Sequence, residues 1–227
     1  MKIHIFLQII VAFILILLPI TSNHEKSFEI QPFDIYSLII IFIFTAVIYF
    51  LYKKICTAED DNAKEKTNDN KKYLYTILLS AALFANAFFW SFIAEKAGNS
   101  SVIVNGFNKL NFFTYFNLFF GIILFASYEE FLYRFYAPKL CELAVLSVKN
   151  KIGNILSNII LQICELVIIC LFALGHLYGG IFSVLNAFCA GIMLRLFAKK
   201  ISAPIYVISA HSLFNLIQYL FLINTLA

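Results

Sequence analysis

Six polar side chains lie in three strongly apolar segments, where charged and hydrogen-bonding groups are costly and usually functional. The three segments contribute, in order, Glu129, Glu130 and Arg134, then His176, then His211 and Asn215. Few other strongly polar groups occupy the same segments. One polar site shared by three helices is the simplest explanation of this pattern.

The two adjacent carboxylates are expected to differ in role, because helical spacing places them on different faces. Glu130 and Arg134 are four residues apart on one face, so they can pair. Glu129 is turned by about 100° and lacks that partner. An unpaired carboxylate in a low dielectric can act as a general acid or base. The spacing therefore predicts a supporting Glu130–Arg134 pair and a reactive Glu129. The alternative is that both carboxylates serve Arg134 or lie at the membrane interface.

The histidines are weaker signals when each is taken alone. Phe172 and His176 share one helical face, and so do His211 and Asn215. A single histidine in an apolar helix is more often a hydrogen-bonded packing residue, and two polar side chains on one face can simply join helices. They can also act as preorganised donors to an oxyanion. Only their combination with the carboxylates favours a catalytic site.

The composition places these residues in a membrane. The chain has 227 residues, of which 62% are hydrophobic and 13% charged. A soluble domain is about 45–50% apolar, and a chain of this size cannot hide so much apolar surface in one core. The net charge of +4 is small and gives no nucleic-acid signal. The five cysteines have no metal-binding or redox spacing.

The apolar segments predict an all-α, multi-pass transmembrane bundle of about seven spans with a polar cavity inside the membrane. The polar residues 53–72 form a solvated loop. The N-terminal spans are assigned to residues 1–110 and the catalytic core to residues 111–227. The predicted spans cover residues 3–20, 35–52, 73–94 and 111–137, then two helices between 151 and 197 that are separated at Gly179 and Gly180, and finally 203–225.

Lysines recur at the turns that this count places on one side, which the positive-inside rule makes cytoplasmic. The N-terminus is then cytoplasmic, and a bacterial plasma membrane is the expected location. Residues 3–20 are predicted to be a retained span, because no Ala-x-Ala-like exit follows them; a signal peptide is the alternative. Arg195 lies beside Lys199 at a helix end and is expected to reach the interface by snorkelling.

A polar stripe along the helix that begins near Lys151 raises a question of depth. It ends at Glu165, and only the residues after it are strictly apolar. If this helix were an ordinary antiparallel neighbour of the 111–137 span, Glu129 and His176 would lie at different depths. We therefore expect its first half to lie outside the hydrocarbon.

Three motifs, taken in order, resemble those of a known family. They are Glu-Glu-x-x-x-Arg beginning at Glu129, Phe-x-x-x-His ending at His176 and His-x-x-x-Asn beginning at His211. In order and spacing they resemble the CPBP family, the CAAX proteases and bacteriocin-processing enzymes also called the Abi family. The resemblance covers about residues 110–220.

The resemblance implies a helical bundle with a conical cavity that hydrolyses peptide bonds. It implies that Glu129 and His176 activate a water, that His211 and Asn215 hold the oxyanion, and that Glu130 and Arg134 support the site. No cofactor is expected. One carboxylate and two histidines could bind zinc, but the chain lacks a His-Glu-x-x-His helix, so a metal-free glutamate mechanism is preferred.

The expected partners are the lipid bilayer and a peptide or protein substrate that is lipidated or membrane-anchored. Two other classes of function remain open. The same charged groups could serve a proton-coupled transporter, although the chain shows no internal repeat. The fold could also serve a non-proteolytic binding or immunity protein, because fold does not imply function.

Overall fold

The computed structural model describes residues 8–17, 35–57, 69–98, 112–201 and 203–226, and every regular element in these ranges is helical. The predicted all-α class is confirmed. The elements are α1 Gln8–Leu17, α2 Ile35–Thr57, α3 Asp69–Lys96, α4 Phe112–Glu130, a π-helical turn Phe131–Tyr136, α5 Ala137–Leu174, a 3-10 turn Leu177–Gly179, α6 Ile181–Ile201 and α7 Pro204–Leu226.

Within the described residues, four helical stretches are long and apolar enough to cross a membrane: Ile35–Cys56, Lys71–Lys96, Phe112–Leu174 and Ile181–Ile201. In their most apolar windows only 6–28% of the residues are buried within the chain, so most of these side chains face lipid. The stretch Phe112–Leu174 has 63 residues, about three times the length that one crossing needs. It accounts for two of the predicted crossings. The centre of the predicted polar loop and both ends of the first predicted span lie outside the described residues.

The helix that carries the two glutamates does not end at Pro138, where the sequence predicts its end. Proline has no backbone N–H, so the carbonyl of Arg134 loses its α-helical donor. The backbone widens into the π-helical turn just before the proline. The guanidinium of Arg195 donates to the Arg134 carbonyl over 2.6 Å in place of the missing N–H. The chain therefore passes the proline and continues as α5.

Gly153 folds α5 back on itself. Its φ of 79° and ψ of 167° are a conformation that essentially only glycine adopts. The helical segments on either side then run antiparallel. The ring centroids of Tyr133 and Phe172 are 5.3 Å apart, and the thiols of Cys141 and Cys164 are within hydrogen-bonding contact. Residues 137–174 are thus a helical hairpin with its tip at Gly153.

The hairpin resolves the question of depth. Glu129 precedes Gly153 by 24 residues and His176 follows it by 23. In an antiparallel pair, residues equally distant from the turn lie at the same level, so the two motifs meet. The difference in depth that two directly connected antiparallel spans would give does not arise, because the stretch after Pro138 is a helix rather than a short connection.

The remaining helices close the bundle around this hairpin. Helix α3 packs against α6 and α7, and its Ser80 hydroxyl donates to the carbonyl of Ala210 over 3.2 Å. Helix α1 lies in the core beside the π-helical turn. The hydroxyls of Tyr128 and Tyr133 donate to its last carbonyls, at Leu15 and Ile16. These bonds supply partners for groups that a helix end leaves unpaired.

Candidate functional site

The deepest part of the site is a chain of three buried ionisable side chains. Glu130 and Arg134 are fully buried, and Oε2 of the glutamate lies 3.5 Å from Nε of the arginine. This is the i,i+4 pair that the sequence predicts. The other oxygen, Oε1, lies 2.8 Å from Nδ1 of His211 on α7. A carboxylate accepts, so Nδ1 donates.

Glu129 lies on the other side of the same histidine. Its Oε2 is 3.7 Å from Nε2 of His211. The glutamate side chain is 25% exposed, in contrast to the fully buried Glu130. The more accessible carboxylate is therefore the one that the sequence predicts to be reactive. Two of the three motifs meet at His211.

His176 is oriented by its own helix. Its Nδ1 is 3.1 Å from the carbonyl oxygen of Phe172, one turn earlier. A carbonyl only accepts, so Nδ1 carries the proton and the lone pair of the neutral ring is on Nε2. The Phe172 ring packs edge-on against the imidazole at 4.9 Å. The ring thus has a defined tautomer and orientation, which a histidine on a lipid-facing surface would lack.

Tyr178 lies between His176 and Glu129 and was not among the site residues predicted from the sequence. Its ring stacks on the imidazole of His176 with centroids 6.2 Å apart, and its hydroxyl interacts electrostatically with Glu129 and Tyr219. It lies in the 3-10 turn between α5 and α6. A tyrosine two residues after the predicted histidine, beside the glycine pair, is the only signal in the sequence that pointed to it.

Asn215 is on α7, one turn after His211, and is half-buried. Its position at i+4 places it on the same helical face as that histidine. Arg195 differs from expectation. Instead of snorkelling to the interface, it turns inward to the Arg134 carbonyl and pairs with Glu165 over 2.9 Å. Glu165, the last residue of the polar stripe, therefore lies at a polar contact between α5 and α6, whereas Asn154, Asn158 and Gln162 are exposed.

No group of three or more His, Cys, Asp or Glu side chains within the described ranges is arranged to hold a metal ion. The nearest approach to such a set is His211 with its two glutamates. Its Nδ1 is already engaged by Glu130 at hydrogen-bond distance.

Residues 110–217 match the family model described as type II CAAX prenyl endopeptidase Rce1-like. This part of the chain is an Rce1-like domain of the CPBP family. The matched residues include all six polar side chains of the three motifs. No curated protein and no solved structure shows significant similarity to the chain. The Rce1-like domain implies a peptide hydrolase. Together with the apolar helices, it indicates an integral membrane protein.

Proposed function

We propose that this protein is an intramembrane endopeptidase that hydrolyses peptide bonds by a metal-free glutamate mechanism. The observation that carries the proposal is the position of His211 between two carboxylates, 2.8 Å from Glu130 and 3.7 Å from Glu129. Two sequence motifs that are 81 residues apart thereby form one group of acid and base side chains. Side chains buried at this cost in an apolar bundle favour catalysis over packing.

In the proposed reaction Glu129 is the general base. Its carboxylate removes a proton from a water molecule, whose oxygen bonds to the carbonyl carbon of the substrate. The resulting tetrahedral intermediate carries its negative charge on the former carbonyl oxygen. Its collapse breaks the C–N bond, and the leaving amine takes up the proton. The partial exposure of Glu129 gives water access to the carboxylate.

His176 is proposed to hold the water and to pass the proton to the leaving amine. This role requires an unprotonated nitrogen facing the site. The bond from Nδ1 to the Phe172 carbonyl leaves Nε2 as the acceptor. The stacked Tyr178 fixes the ring plane and brings a hydroxyl group near Glu129.

His211 and Asn215 are proposed to stabilise the oxyanion. Donors aimed at developing charge are usually the largest single contribution to catalysis. This role requires a doubly protonated His211 ring, which would donate to Glu130 through Nδ1 and to the oxyanion through Nε2. Glu130 then acts as a positioning residue for His211 as well as the partner of Arg134.

The substrate class follows from the site's location and from the family. A site built on apolar helices meets substrates that are themselves in or at the bilayer. The family's description names prenylated CAAX endopeptidase activity. We therefore propose a membrane-associated peptide substrate with a lipidated C-terminal segment.

The test is cleavage of a farnesylated CAAX-type peptide by the purified protein in proteoliposomes, with an unprenylated peptide alongside. We expect Glu129→Gln to lower turnover by at least about a hundredfold, as loss of a general base does. The same substitution at Glu95, exposed at the end of α3, is the matched control and should leave turnover unchanged. His176→Ala should resemble Glu129→Gln, while the protein still inserts and folds.

Addition of a zinc chelator tests the mechanism. The glutamate mechanism predicts full turnover, and loss of turnover that zinc restores would overturn it. Capture of a cellular substrate by Glu129→Gln would identify the natural target. Proton-coupled flux across the same liposomes without any peptide cleavage would instead favour a transporter.

A further inference from the structure

A charged cavity lies near the ends of α2 and α6 that carry lysines. Its volume is about 170 Å³, where one water needs about 10–15 Å³ on the same kind of measure. It is lined by Tyr52 of α2, by Arg134 of the π-helical turn, by Lys139 and Glu142 of α5, and by Arg195 and Lys199 of α6. We call it the basic pocket.

Four cations line the basic pocket, and Glu142 is the carboxylate among its lining residues. Lys139 pairs with Glu142, Arg195 and Lys199 both pair with Glu165, and Arg134 pairs with Glu130. The lining is therefore predominantly cationic, which suits an anionic ligand.

Arg134 supplies the second observation. Its side chain is fully buried, and neither Nη1 nor Nη2 has a hydrogen-bond partner among the described residues. Nε of Arg195 is also buried and has no hydrogen-bond partner among the described residues. A buried donor without an acceptor is destabilising, and more so when the group is charged. A guanidinium that lacks acceptors beside a polar cavity is a natural site for an oxyanion such as phosphate.

The level of the pocket in the bundle indicates where such an anion would come from. Tyr52 lies directly before Lys53 and Lys54 at the end of α2, and Lys199 lies beside Lys200 at the end of α6. Lysines concentrate at the cytoplasmic ends of spans, where phospholipid headgroups lie. Basic pockets between spans at this level bind anionic headgroups.

We propose that the basic pocket binds a phosphate group, supplied either by the phosphodiester of an anionic phospholipid or by free inorganic phosphate. The guanidinium of Arg134 and the side chains of Arg195 and Lys199 recognise its oxygens. Phosphate binding here does not depend on the proposed peptidase function, although Arg134 also pairs with Glu130.

The experiment uses the full-length protein, purified in a non-ionic detergent and depleted of lipid. Its thermal unfolding is followed during titration with phosphatidylglycerol, with phosphatidylcholine and with inorganic phosphate. Lys199→Gln removes one cation from the pocket, and Lys200→Gln is the matched control on the neighbouring residue, whose ammonium lies over the ring of Tyr75. We expect phosphatidylglycerol to raise the unfolding temperature of the wild type and of Lys200→Gln equally. Lys199→Gln should raise the dissociation constant about tenfold, as the loss of one charge-assisted hydrogen bond does.

The titrations also distinguish the sources. Lys199-dependent binding of phosphatidylglycerol identifies a lipid headgroup, and Lys199-dependent binding of inorganic phosphate alone identifies the free ion. Equal affinities of Lys199→Gln and Lys200→Gln for both probes would overturn the proposal. Lys139→Gln, on another helix, repeats the test if Lys199→Gln fails to fold.

Discussion

Removal of the charge on Glu130 should destabilise the protein far more than removal of an ordinary carboxylate. Glu130→Gln keeps the shape of the side chain, and its amide oxygen can still accept from Nδ1 of His211. The carboxylate that pairs with the fully buried Arg134 is lost, however. An uncompensated charge then remains on a fully buried side chain.

The expected loss follows from the burial of this pair. Breaking a buried ion pair by removing one partner costs about 3–5 kcal/mol. The bond to His211 weakens as well, because a charged acceptor is worth about 1.5–3 kcal/mol and a neutral one about 0.5–1.5 kcal/mol. At about 2–4 °C per kcal/mol for a chain of this length, the unfolding midpoint should fall by about 10 °C or more.

Thermal unfolding of the purified variants measures this effect. Glu142→Gln is the matched control, because this carboxylate also pairs with a cation on its own helix, Lys139, but is 46% exposed. Its loss should lower the free energy of unfolding by under about 1 kcal/mol. The double variant Glu130→Gln with Arg134→Met removes both charges and should recover most of the lost stability. The reasoning fails if Glu130→Gln is as stable as Glu142→Gln, or if the double variant is less stable than the single one.

Three further predictions concern the helical hairpin and the π-helical turn that precedes it. Mild oxidation should link Cys141 and Cys164, whose thiols meet across the hairpin, and peptide mapping should find the other three cysteines still open to alkylation. Gly153→Ala should cost about 1–3 kcal/mol of unfolding free energy because of its φ of 79°, against under about 0.5 kcal/mol for Asn154→Ala beside it; equal losses would contradict the backbone assignment. Arg195→Gln should cost about 1–3 kcal/mol in chemical denaturation, because the Arg134 carbonyl loses its replacement donor; an unchanged midpoint would show that the π-helical turn does not need it.

Most of the helices could be predicted from the sequence, because an apolar run has one stable form in lipid. The spans predicted at 35–52, 73–94 and 203–225 correspond to α2, α3 and α7. Helix α2 is about one turn longer at its end, and α3 is about one turn longer at its start. The separation at Gly179 and Gly180 is also confirmed. The wrong boundary was at Pro138, where a local rule for helix ends was overridden by a distant side chain, Arg195.

The sequence by itself determined the membrane environment, the all-helical class and the pairing of Glu130 with Arg134, because each depends on composition or on spacing within one helix. Only the tertiary structure decided which helices meet. The turn at Gly153 sets Glu129 and His176 at one level, and α7 brings His211 between the two carboxylates. The contacts of His211 join residues at least 81 positions apart in the sequence. Helical periodicity carries no information over such a separation. The reactive carboxylate and its supporting partner differ in burial for the same reason: packing against α7 closes one face of the helix and leaves the other partly open.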